Sequence, residues 1–257
     1  MLIKSNTENN LAKAMNKISL PKKPQSYNLC VKADALRFAK LYKESVKVYL
    51  DAIMQDRNCV EAYSGIVESY KYLQEYSKAI KILEKLLIID DSNDKYYYEL
   101  GVCYLSCGKP EESLPYLIKS IVLNNQNLEA QIQLAIAHEL VGEPELSLMI
   151  YDKLIETNPE FLKAYYNKAA MLMGEGNFIE ASKTFFQIIK RNSNYYKAHL
   201  GIAMSFDKLG KYTEAIRYYR NFLELKSFSE DAVFAKERLK ELRDKRILHK
   251  NNSLKIV

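Results

Sequence analysis

The residues of this chain best suited to bind a metal or attack a substrate are four cysteines and three histidines. Cys103 and Cys107 lie four apart, a spacing that puts both on one side of a helix as half of a metal site. Tetrahedral zinc needs two more ligands, and no histidine or second cysteine pair falls near them, so no metal is expected. Cys30 and Cys59 occupy places unrelated by the repeat described below, and all four thiols are expected to be free, as in a reducing compartment. His138 and His199 fall where apolar or aromatic residues otherwise stand, so they read as packing residues, while His249 lies in the tail. There is no phosphate-cradling glycine loop and no HExxH or GxSxG run, so neither an enzyme nor a cofactor is expected.

Charge gives the second candidate chemistry, nucleic-acid or anionic-surface binding. The formal charge is +6, but residues 1–25 hold five lysines and one glutamate, and residues 230–257 hold eight basic and five acidic residues. Those ends carry +4 and +3, so the stretch between them sums to −1. A phosphate-binding surface would carry its basic stripe along the body of the chain, so nucleic acid is not the expected partner and is confined to the termini. Hydrophobic residues make up 48% and charged ones 27%, enough for an extensive core in a water-compatible chain. No apolar run is long enough to cross a bilayer and the first residues lack a secretory core, so a cytoplasmic location is expected.

The elements that must position these residues follow from a period. Residues 209–219, LGKYTEAIRYY, repeat the pattern of EGNFIEASKTF thirty-four places earlier. Six frames of that length fit without insertion: 26–59, 60–93, 94–127, 128–161, 162–195 and 196–229. The eighth place holds Ala33, Val67, Gly101, Ala135, Ala169 and Ala203; the twentieth holds Ser45, Ala79, Ser113, Ser147, Ala181 and Ala215. Large residues take the twenty-fourth: Tyr49, Leu83, Leu117, Tyr151, Phe185 and Tyr219. Apolar residues three or four apart mark two helices per frame. Between them Gly108, Gly142, Gly176 and Gly210 suit a left-handed helix end, and Pro110 and Pro144 suit the first position of the next helix. Small residues at facing places let two antiparallel helices approach, and one such hairpin cannot bury its apolar face alone, so neighbours must stack.

These residues resemble the tetratricopeptide repeat, a thirty-four-residue helix–turn–helix with small residues at the same two places. YYNKAAMLMGEGNFIEASKTFFQIIKRNSN and HLGIAMSFDKLGKYTEAIRYYRNFLELKS carry the resemblance best, and the family's terminal proline stands once, as Pro159. It implies an all-α, right-handed superhelical solenoid of six hairpins. Residues 230–257 read as a capping helix and basic tail, with Ser229 as N-cap, Phe228 stapled against Val233, Phe234, Leu239 and Leu242 on the last repeat, and Arg238 facing water. Residues 1–25 read as a polar basic leader or linker, in which Leu11, Met15 and Ile18 form a short apolar line.

The resemblance also implies that first helices line an inner groove, which here is unusually apolar. The expected partner-binding residues are Tyr98, Val102 and Leu105, then Ile132 and Ile136, then Lys163, Tyr166, Asn167 and Met173, then Lys197, Leu200 and Met204. Methionine beside tyrosine suits adaptable recognition of a helix or extended peptide. The family's carboxylate clamp is matched at only two of five places in the window Ile132, Ile136, Asn167, Lys197 and Gly201, so chaperone C-termini are not expected. With Asp34, Arg37, Glu61, Glu68 and Lys71 inside the first two frames, affinity is expected to lie in frames three to six. The function read from the sequence is a non-catalytic scaffold that holds a segment of another protein. Binding through the basic termini and self-assembly are the rival classes.

Overall fold

The structure is a computed structural model and describes residues 25–253. The apolar line Leu11, Met15 and Ile18 lies outside them. Among the described residues there are thirteen helices and no strand: α1 (Gln25–Phe38), α2 (Tyr42–Gln55), α3 (Val60–Tyr72), α4 (Tyr76–Ile89), α5 (Asp94–Ser106), α6 (Pro110–Leu123), α7 (Leu128–Val141), α8 (Pro144–Thr157), α9 (Leu162–Gly174), α10 (Phe178–Arg191), α11 (Tyr196–Lys208), α12 (Tyr212–Leu225) and α13 (Glu230–Ser253). The first helices α3, α5, α7, α9 and α11 begin at residues 60, 94, 128, 162 and 196, thirty-four apart, and α13 begins thirty-four after α11. The helices fall into two compact units, α1–α5 within residues 1–109 and α6–α13 within residues 110–257.

Each turn within a repeat is made by one residue in the left-handed region. Gly108, Gly142, Gly176 and Gly210 have φ of 70°, 89°, 78° and 71°, while Lys40 and Gln74 hold the same place in the first two repeats at 62° and 58°. The hydrogen bonds are alike in both kinds: Glu143 N–H donates to His138 O at 2.8 Å, and Leu41 N–H to Leu36 O at 2.9 Å. A side chain at positive φ costs energy that glycine avoids, so the first two turns carry a strain the later ones lack. Between repeats, the side chains of Asp56, Asp90, Asn124 and Asn192 accept the N–H two residues on, closing the corner into the next first helix.

In the first unit the core gathers Cys30, Ala33, Val46, Tyr49, Ala52, Cys59, Ala62 and Ile66. A Cβ on Gly65 would meet the Tyr49 ring at 2.1 Å, so the aromatic of one repeat lies directly under the first helix of the next. In the second unit Gly201 stands to Phe185 in the same relation, its Cβ position 2.4 Å from the ring. There the core runs from Tyr165 and Ala169 through Phe185, Ile202, Tyr219 and Phe222 to Leu239 and Leu242.

The end helix differs from the sequence expectation in three ways. Ser229 does cap it, Oγ accepting from Ala232 N–H at 3.1 Å, but Phe228 is 89% exposed and Val233 56%, so no staple forms. Arg238 does not face water: Nε and Nη2 grip Asp207 at 2.6 and 2.8 Å, and the Asp207 side chain is only 10% exposed. This bidentate pair fastens α13 to α11, and Tyr219 OH adds a third hydrogen bond to Asp207 at 3.3 Å. Leu239 and Leu242 are buried as expected, whereas Phe234 stays 45% exposed with its edge on Tyr219. The reason is register. Ala232 and Ala235 fall where α11 has Ala198 and Gly201, so α13 docks as a seventh first helix. Glu237 replaces the small residue that would seat a second helix, and the run of repeats stops there.

Candidate functional site

The residues expected to bind a partner all lie on first helices, and the structure distributes them between the two units. Tyr98, Val102 and Leu105 are half-buried on α5 in the first unit. Val102 borders a shallow hollow with Tyr72, Tyr76, Lys71 and Glu68. The other nine belong to the second unit, on α7, α9 and α11, which contact one another in that order.

Five of the nine form one surface. Tyr166, Met173, Leu200 and Met204 are half-buried, each with one side on the core and the other open. Tyr166 meets Phe185 edge-on at 5.8 Å and Tyr195 at 6.1 Å, and Lys197 Nζ lies 5.8 Å from its ring centroid. A cation over a tyrosine face is a weak attraction, so Lys197 can leave the ring for an acidic group of a ligand at little cost. Lys163 is exposed and pairs with Glu129, joining the entrances of α9 and α7. Asn167 lies at the place Gly65 and Gly201 take in their own repeats, and its Nδ2 is buried without a hydrogen-bond partner among the described residues.

Ile132 must be removed from this surface. It is 0% exposed and packs with Ala135, Tyr151, Leu154, Ala164 and Met171, with Ile136 half-buried beside them. In the second, third, fifth and sixth repeats the fifth place stays partly open, at Ser64, Tyr98, Tyr166 and Leu200. Here an aliphatic chain ends within that cluster and is fully buried, where a tyrosine would have to project.

A cavity also lies where the sequence reading expected the least affinity. About 380 Å³ in volume, it lies in the first unit and is lined by Asp34, Arg37, Glu61, Glu68, Lys95 and Glu99 among others. Its charges are tied together. Arg37 Nη2 reaches Asp34 at 3.1 Å, Tyr49 OH donates to the same carboxylate at 2.6 Å, and Lys71 Nζ joins Glu99 at 2.6 Å and Glu68 at 3.3 Å. Burial alone would pull the Lys71 ammonium down, but Glu99 and Glu68 outweigh it and hold it above its ordinary value. Burial pushes Tyr49 up, and its donation to Asp34 adds to that, so the phenol stays protonated and keeps donating. Only Glu61 and Lys95 line the cavity without an ion pair among those described.

No three metal-ligating side chains cluster among the described residues. His199 is buried, its Nε2 donating to Ser193 O at 2.7 Å. His138 Nδ1 lies 2.7 Å from Glu143 across the hairpin turn. Cys30 and Cys59, unrelated by frame, have their sulfurs 3.5 Å apart, a contact made by the turn into α3 that the repeat pattern did not show.

Comparison with known proteins agrees with this geometry. The tetratricopeptide repeat family matches at residues 94–127 and again at residues 198–233. This is a tetratricopeptide repeat protein. PilW, a type IV pilus biogenesis factor, is similar in structure with a TM-score of 0.68 at 19% identity, over 81% of this chain and 97% of that one. A tetratricopeptide repeat protein from Parabacteroides merdae gives a TM-score of 0.68 at 17% identity, over 92% and 91%. MamA gives 0.57 at 24% identity, over 64% and 96%. No curated protein sequence matches the chain. The tetratricopeptide fold is in general that of a non-catalytic protein-interaction scaffold, and among the described residues no helix is long and apolar enough to cross a membrane.

Proposed function

We propose that this tetratricopeptide repeat protein is an adaptor in the cytoplasm that holds a short helical or extended segment of another protein on the first-helix face of its second unit. Tyr166, Met173, Leu200 and Met204 supply the apolar contacts, Ile136 extends them, and Lys163 and Lys197 orient an acidic segment. Tyr98, Val102 and Leu105 offer the first unit a smaller apolar contact of its own. The observation that carries the reading is the half-burial of those four apolar side chains on one core, with Lys197 resting on Tyr166: each is held by the fold yet keeps an open side for a ligand.

A photo-crosslinking residue placed at Leu200, compared with one at exposed Lys183 on the second helix α10, tests it in the native host. Discrete adducts from position 200 and none from 183 are expected. Equal adducts from both, or adducts from 183 alone, overturn the assignment. Aspartate at Tyr166 or Met204 is a poorer test, since both residues also pack on the core and the fold would suffer with the binding.

A further inference from the structure

Cys30 on α1 and Cys59, the N-cap of α3, stand at the two ends of the first repeat, yet their sulfurs are 3.5 Å apart and each residue is 6% exposed. Of the other two thiols, Cys103 is buried in α5, and Cys107 follows that helix with Ser77 Oγ at 3.9 Å. A disulfide needs its sulfurs about 2 Å apart, so the pair must close by roughly 1.5 Å. Helix α1 can supply that movement. It buries only Ser26, Cys30 and Ala33, and it packs on α2 and α3. A helix that buries so few side chains opens locally more readily than one seated in the core.

We propose that Cys30 and Cys59 are a redox-sensitive pair that a peroxide oxidises to a disulfide, latching α1 to the start of α3. One sulfur attacks a peroxide oxygen, releases water and becomes a sulfenic acid. The second sulfur attacks the first, the S–S bond forms, and the hydroxyl leaves with the second thiol's proton as water. The two sulfurs lose two electrons and hydrogen peroxide becomes two waters; a dithiol reductant reverses the change. Burial, with Cys59, Glu61 and Asp34 nearby, pushes the Cys30 thiol up, so the reaction waits on opening of α1 and is slow at neutral pH. The latch matters for the cavity of the first unit. Asp34 and Arg37, which line it, lie one and two turns beyond Cys30 on α1, so joining the sulfurs fixes that side of the cavity. The inference does not depend on where a partner binds.

The test treats the full chain with hydrogen peroxide and then alkylates and maps its thiols. Two of the four thiols are expected to disappear in a peptide that links Cys30 to Cys59, to return with dithiothreitol, and to raise the urea midpoint while oxidised. Cys30→Ala and Cys59→Ala, examined separately, are expected to lose the linked peptide and the rise in midpoint. Four alkylatable thiols after oxidation, a link through Cys103 or Cys107, or an oxidised midpoint no higher than the reduced one would each overturn the proposal. If one alanine variant does not fold, the other variant and the peptide map still decide it.

Discussion

The two units are built on one hairpin pattern and differ in what occupies their first helices. The first unit uses charge: Asp34, Arg37, Glu68, Lys71 and Glu99 neutralise one another around a polar cavity. The second uses aromatic rings and methionines, with Phe186, Phe206 and Tyr218 in contact, Phe185 meeting Tyr166 edge-on, and Met173 and Met204 packed on the same core. The difference teaches that the repeat fixes only the places where helices meet. The twelfth place illustrates it, holding Arg37, Lys71 and Leu105 in the first unit and Glu139, Met173 and Asp207 in the second. Charged pairs in partly buried positions contribute little net stability, while packed rings contribute much. The second unit should therefore be the more stable half.

Five substitutions probe the contrast. Phe185→Ala removes a ring that is 2% exposed under Gly201, and a loss of about 3–5 kcal/mol is expected from the urea transition of the second unit. A loss under about 1 kcal/mol would mean the rings do not set that stability. Arg238→Ala strands Asp207, whose side chain is 10% exposed, and should cost about 3 kcal/mol and release α13, read as faster amide exchange in residues 230–243. Lys71→Met leaves the Glu99 carboxylate without its partner in the first unit, at an expected cost of about 2 kcal/mol near neutral pH. Smallest, Lys40→Gly and Gln74→Gly should each stabilise the first unit by about 0.5–1 kcal/mol, since glycine relieves the positive φ of both turns.

Much of the fold was legible because its signals are local. Turn glycines, prolines opening helices, and alternating small and large residues at fixed places are properties of single positions in a period, and the helices begin where that period puts them. Ile132 was misread for a physical reason: its place is open in the neighbouring repeats, where Tyr98 and Tyr166 stand, and a shorter aliphatic chain ends within the cluster of Ala135, Tyr151 and Leu154. The Cys30–Cys59 contact was invisible because the two residues hold different places in their frame and meet only once the chain turns into α3. Arg238 looked like a surface residue until α13 proved to be in register with α11, a signal that extending the count by one more frame from Tyr196 to Glu230 would have revealed. The polar interior of the first two frames was legible, but the pairing of Lys71 with Glu99 was not, because the two residues belong to different repeats and meet only when their helices pack.

The register of α13 has a consequence for how such a chain can vary. Because the final helix docks through small residues at the two places where α11 has Ala198 and Gly201, an extra hairpin like the last one, inserted before residue 230, would present it with a familiar seat, needing only an acid where Asp207 now stands. Length is thus a separable property of this molecule, set by one clasp at its end and open to change without rebuilding the interior.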